Sequence, residues 1–153
     1  MSSLQLPTPS IVAAQVVRCV TASISLLAST ILALTILHSP TGRKSPYSRI
    51  IFGLSVGDIL NSLAVLVSPF ASPKDNPDAI FSIGNVRSCE ITGIFLQIGG
   101  CMVPLYTLFL TYYFLKRVKY KTSPADFAKY QEKIITILIL LFAVGTAVVA
   151  LPT

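Results

Sequence analysis

The stretch that decides the fold is Ile50–Phe70, IIFGLSVGDILNSLAVLVSPF. One ionisable side chain, Asp58, interrupts an otherwise apolar or small-polar run, and the first proline comes only at Pro69. A helix needs about 20 mostly apolar residues to cross the hydrocarbon core of a bilayer, and this run supplies them. Outward from it, three more segments have the same character: Ile11–Leu37, Cys89–Leu115 and Ile134–Leu151. The breaks are HSPTGRKSPYSR (His38–Arg49), an outer loop over 71–88 that contains SPKDNPD (Ser72–Asp78), and KRVKYKTSPADFAKYQEK (Lys116–Lys133). Proline removes a backbone donor and clashes with the preceding turn, so helices end at such places. The expected architecture is an all-α membrane protein in which residues 1–153 form a single bundle of four transmembrane helices.

Composition agrees. The chain has 153 residues, of which 53% are hydrophobic and 12% charged, and a mean hydropathy of +0.74. Soluble domains carry about 25% charged residues, so this chain has too little charge to cover a globular surface. The net charge of +6 does not point to nucleic acid, because the basic residues sit in short breaks between apolar runs. Ile11–Leu37 lacks a basic leading region and a small-residue cleavage site, and it is longer than a signal peptide's apolar core, so it reads as a retained span.

Basic residues set the expected orientation. Arg43, Lys44 and Arg49 lie in the first break and Lys116, Arg117, Lys119, Lys121, Lys129 and Lys133 in the third; the second holds only Lys74 and Arg87. Cytoplasmic loops carry the excess of Lys and Arg. Breaks 38–49 and 116–133 are therefore expected inside, with the N-terminus outside. The chain stops at Leu151-Pro152-Thr153 without a polar flank, which reads as the N-terminal portion of something longer.

Asp58 is the first candidate for chemistry. An ionisable group deep in a span costs roughly 2.5–3.5 kcal/mol on insertion scales and normally faces protein or a water cavity. It reads either as a polar hub with Ser55 and Asn61 that binds an ion or switches partners, or as a structural carboxylate bonded to those residues or to Ser25 or Ser29. Helical spacing of Leu54, Asp58, Asn61 and Ser62 directs this stripe toward spans one and three, leaving Ile51 and Leu60 to lipid. Cys89, at the outer end of span three, is expected to form a disulfide with a partner beyond residue 153; the alternative is a free thiol. Gln97 either lines a ligand pocket or glues helices together. Gly93, Gly99 and Gly100 permit close helix approach, and Pro104 is expected to kink the span with Gly99 and Gly100. Arg18 reads as a snorkelling interface residue. Lys116, Arg117, Lys119 and Lys121 are expected to meet a cytoplasmic partner or anionic membrane lipid.

No spacing suggests a metal site: Cys19, Cys89 and Cys101 are scattered, and His38 is the only histidine. With neither a nucleophile–base pair nor a phosphate loop in view, no cofactor is expected and an enzyme is the least expected class.

In their order these residues resemble the N-terminal half of a G-protein-coupled receptor. Leu54-Ser-Val-Gly-Asp58 resembles the second-helix Leu-x-x-x-Asp motif of rhodopsin-like receptors. Phe81-Ser-Ile-Gly84 resembles the Trp-x-Phe-Gly turn of the first outer loop, leading into Cys89 at the head of helix three. Pro69 and Pro152, late in their spans, also fit. The resemblance implies that Cys89 bridges to a second outer loop. It also implies that the protein senses an extracellular ligand and signals to a cytoplasmic partner such as a heterotrimeric G protein, at the plasma membrane. Departures place the chain nearer divergent receptors such as the cyclic-AMP-receptor-like group. Span one has no asparagine in ILALTIL (Ile31–Leu37), Tyr113-Phe114-Leu115 stands where Asp-Arg-Tyr is usual, and there is no tryptophan. Val103 and Pro104 occupy the region of the third-helix serine that would assist sodium binding at Asp58. Two other classes compete: a complete four-span scaffold, and half of a transporter with Asp58 as its proton or cation site.

Overall fold

The computed structural model describes residues 9–39, 45–72, 83–121, 123, 127 and 131–149. Four helices fill these segments: α1 (Pro9–His38), α2 (Pro46–Ala71), α3 (Val86–Lys119) and α4 (Lys133–Val149). They pack in chain order. The α2–α3 interface is the most extensive, followed by α1–α2 and then α3–α4. Among the described residues, three helices are long and apolar enough to cross a membrane: Ser10–His38, Pro46–Ala71 and Val86–Lys119. The fourth is apolar but only 17 residues long within the described chain. The described residues thus form a helical bundle of multi-pass membrane character.

Helices α2 and α3 overrun the apolar stretches that announce them. Pro46 opens α2 at a position where the missing N–H costs nothing, so Pro46–Arg49 are helical rather than loop. Asn85 caps α3, its side chain accepting from Ser88 N while Ser88 Oγ accepts from Asn85 N; this reciprocal pair starts the helix before Cys89. At the other end Lys116, Arg117 and Lys119 form the last turn of α3, where positive charge complements the helix dipole. Lys121, at φ 49°, then turns the chain away. Pro104 is exposed, and α3 continues through it as one helix.

The core is built on one stripe of α3. Gly99, Met102, Tyr106, Phe109 and Tyr113 are buried at alternating spacings of three and four, against Ile50 of α2 and Ile139 and Ala143 of α4. Phe127, from the break between α3 and α4, is 1% exposed. It lies between Phe109 (ring centroids 5.9 Å apart) and Tyr113 (5.0 Å).

Three residues of α2 set its distance from α3. An added Cβ at Gly53 would lie 2.4 Å from the Tyr106 ring, one at Gly57 2.9 Å from Met102 Cβ, and one at Gly99 2.6 Å from Asn61 N. Gly53, Gly57 and Asn61 are thus matched against Tyr106, Met102 and Gly99 in antiparallel register. This is small-residue packing of the kind that holds membrane helices together where no hydrophobic drive exists. The Gly-x-x-x-Gly spacing is in the sequence, whereas the glycines expected to matter were Gly93, Gly99 and Gly100. Of those, Gly99 is at the contact, Gly93 has nothing within 4 Å, and Gly100 reaches only Asn61 Oδ1 at 4.0 Å. Leu60 is also reassigned: it packs against the core, and the exposed apolar positions of α2 include Leu63, Val67 and Phe70.

At the far end of α2, Ile83 N and Gly84 N donate to Phe70 O (3.4 Å) and Ser72 O (3.2 Å). An added Cβ at Gly84 would fall 2.3 Å from Ala71 O, so only glycine allows this return. Phe81 and Ser82, the rest of the motif, lie outside the described residues, as does Pro152.

Candidate functional site

Two polar constellations stand out against the apolar packing, one within the span and one at the end of the bundle that bears Arg49 and Lys116.

The first is Asp58. Ser25 and Ser29 are four residues apart, so helix geometry places both hydroxyls on one face of α1. That face forms a seam of small residues with the buried Ala22 and Ala33. Ser25 Oγ donates to Asp58 Oδ2 at 2.7 Å, and Ser29 Oγ donates to the same oxygen. An intramolecular hydrogen bond contributes about 0.5–1.5 kcal/mol in soluble proteins. Within bilayers the average interhelical bond is worth only about 0.6 kcal/mol, because the separated helices also find partners.

The expected trio does not assemble around that carboxylate. Ser55 is buried but donates to Ile51 O of its own helix at 2.9 Å. Asn61 turns to α3, against Gly99. Asp58 therefore ties α2 to α1, while Asn61 belongs to the α2–α3 contact on another side of the same helix.

Gln97 is exposed, and its Nε2 donates to Cys101 Sγ at 3.5 Å; that sulfur lies 3.7 Å from Thr146 Oγ1 of α4. This geometry is a small polar link between α3 and α4. Cys19, Cys89 and Cys101 are not bridged to one another, and Cys89 is exposed near the start of α3. Among the described residues no His, Cys, Asp or Glu cluster has the makings of a metal site.

The second constellation went unremarked in the sequence. Arg49 Nη1 lies 3.3 Å from Glu132 Oε1, joining the start of α2 to the approach to α4. The Glu132 side chain is 10% exposed and that of Arg49 47%. Glu132 Oε2 and Gln131 Oε1 are buried without a hydrogen-bond partner. Burial holds the Glu132 carboxyl above its ordinary pKa, with Arg49 and Lys133 pulling it part of the way back. Desolvation therefore outweighs the attraction. The pair caps a cleft of about 390 Å³ between α2, α3 and α4, which runs past Gly53, Met102 and Tyr106 to Leu140. Inside it, Tyr106 of α3 and Thr136 of α4 both line the wall. The signal available beforehand was a glutamate set directly before an apolar run, among lysines.

Next to this pair the aromatic residues extend outward, Tyr47 lying 6.4 Å from Tyr113 and 5.8 Å from Phe114. Lys116 Nζ sits 4.9 Å from the Tyr120 ring centroid and 5.6 Å from that of Tyr112. Arg117, Lys119 and Lys121 are exposed. Comparison with family models, curated proteins and solved structures returned no match.

Proposed function

We propose that this chain is the ligand-sensing half of a receptor-like membrane protein. In this reading its four helices all span the bilayer and correspond to the first four of a seven-helix bundle. The N-terminus faces outward at the plasma membrane, and the end bearing Arg49, Lys116 and Glu132 meets a cytoplasmic partner such as a heterotrimeric G protein. The activity is non-enzymatic: an extracellular ligand shifts a two-state equilibrium according to its differential affinity for the two arrangements. In the full-length protein Cys89 bridges to a later outer loop.

The observation that supports this reading most is the position of Asp58. It is the one carboxylate in its span, it is held by two hydroxyls of α1, and it lies on the same helix whose glycines set the α2–α3 contact. A carboxylate bound only by hydroxyls can exchange partners at modest cost, as a switch requires. The runner-up, half of a transporter, takes the same carboxylate as a proton or cation site. A four-span scaffold takes it as glue.

Membranes containing the full-length protein separate the three. The receptor reading expects the protein to accelerate guanine-nucleotide exchange on added heterotrimeric G proteins. Asp58→Asn should change that rate at equal surface expression. Asp58-dependent proton or sodium flux in proteoliposomes would hand the protein to the transporter class. Neither exchange nor flux would leave the scaffold.

A further inference from the structure

A second cavity, of about 860 Å³, opens between α3 and α4 on the bundle's outer surface. Its walls are almost wholly apolar, with Leu105, Leu108 and Leu115 from α3 facing Leu138 and Leu141 from α4, and Tyr112 near one end. On α3 the lining runs from Leu105 to Leu115. At 1.5 Å per residue this is about 15 Å, the depth of one leaflet of a hydrocarbon core roughly 30 Å thick. The groove ends where α3 turns basic. Lys116 Nζ is parked over the faces of Tyr112 and Tyr120, and Lys119 Nζ lies 5.6 Å from the Tyr120 ring centroid. Among the described residues the ion pair is Arg49–Glu132, and no described carboxylate pairs with Lys116 or Lys119. The site therefore presents a leaflet-deep apolar slot with two lysines at its mouth.

We infer that this groove is a binding site for an anionic phospholipid, with one acyl chain between α3 and α4 and the headgroup phosphate on Lys116 and Lys119. Leu108, Tyr112 and Lys116 recur every four residues on α3, so chain, interface and headgroup contacts align along one face. A sterol would use the same slot but gains nothing from two ammonium groups, whereas phosphate does. The inference requires only that α3 and α4 lie in a bilayer with their basic ends at one surface, and it stands apart from the receptor reading. Occupancy would brace α4 against α3.

The test is photolabelling of the full-length protein in phosphatidylcholine nanodiscs. The probe is phosphatidylserine with a photoactivatable acyl chain, and labelled peptides are mapped by mass spectrometry. Labelling should concentrate on 105–115 and 135–142 and be displaced by unlabelled phosphatidylserine but not by phosphatidylcholine. Lys116→Gln should weaken it about fivefold, the contribution of one basic residue at a membrane surface. Leu138→Trp, which fills the slot and leaves the lysines intact, should also abolish most of it. Equal labelling of the exposed α1 face at Val16 and Leu27 would overturn the site, as would labelling indifferent to Lys116→Gln. Displacement by a sterol but not by phosphatidylserine would assign the groove to sterol. Protection by a second copy or a further helix, detected as a crosslink into 105–115, would assign it to protein.

Discussion

Asp58 accepts from two hydroxyls on one oxygen, whereas Glu132 gives one oxygen to Arg49 and keeps the other without a hydrogen-bond partner. The two carboxylates should therefore respond differently to substitution. Asp58→Asn keeps an acceptor for Ser25 and Ser29 and should fold and reach the surface normally, whereas Asp58→Leu should cost about 1–2 kcal/mol as both interhelical bonds go. The released serines then bond back to their own helix, which keeps the loss small. Unfolding of the detergent-solubilised protein measures both. At the other pair, Arg49→Gln strands a nine-tenths buried carboxylate and should destabilise by about 1–3 kcal/mol. Glu132→Gln removes the buried charge beside a half-exposed guanidinium and should stay within about 1 kcal/mol of wild type. The pH dependence follows from the raised pKa of Glu132. The folded state holds that proton to higher pH than the unfolded chain, so the contribution of Glu132 to stability is greatest in acid. It falls as pH rises from the ordinary carboxylate value, about 4.3, through the raised one. The difference in melting temperature between wild type and Glu132→Gln should shift in the variant's favour across that window; a difference that is flat with pH would contradict it. Asp58 was legible in the sequence because a charge in an apolar run announces itself. Its partners were legible only as a choice among Ser55, Asn61, Ser25 and Ser29, since rotation of α1 about its axis decides which hydroxyls meet it. Glu132 was not legible as a partner of Arg49, because nothing in their spacing brings the start of α2 to the approach to α4.

The four helices were legible as elements from apolar length and proline-bearing breaks alone, and their extensions were not. Caps and basic last turns carry helix beyond the apolar run, as Asn85–Ser88 and Lys116–Lys119 show. The α2–α3 contact illustrates the limit of reading glycines one by one. Gly93 and Gly99 look equivalent in sequence, yet only Gly99 meets a backbone. Gly99→Ala drives a methyl into Asn61 and should cost about 1–3 kcal/mol as overpacking. Gly93→Ala and Gly145→Ala enter open space and should be neutral or slightly stabilising. Melting temperatures of the three variants check the register. A tolerated Gly99→Ala alongside a damaging Gly93→Ala would mean that α3 is rotated relative to this arrangement.

Across the whole molecule, large apolar side chains remain exposed along every helix, among them Val17, Leu27 and Ile31 on α1 and Leu138, Leu141 and Phe142 on α4. No more than 28% of any long helix's most apolar window is buried inside the bundle. In water such a surface would drive association, whereas in a bilayer it is the surface required. The basic residues gather in the breaks at 38–49 and 116–133, and the orientation proposed here rests on that asymmetry. The receptor reading depends on it in turn, since a partner-facing end must be cytoplasmic. The decisive measurement is the accessibility of epitope tags on the protein expressed in cells, one at the N-terminus and one between Thr122 and Ala125. The account predicts that antibody reaches the N-terminal tag on intact cells and the 122–125 tag only after permeabilisation. The reverse pattern would contradict it.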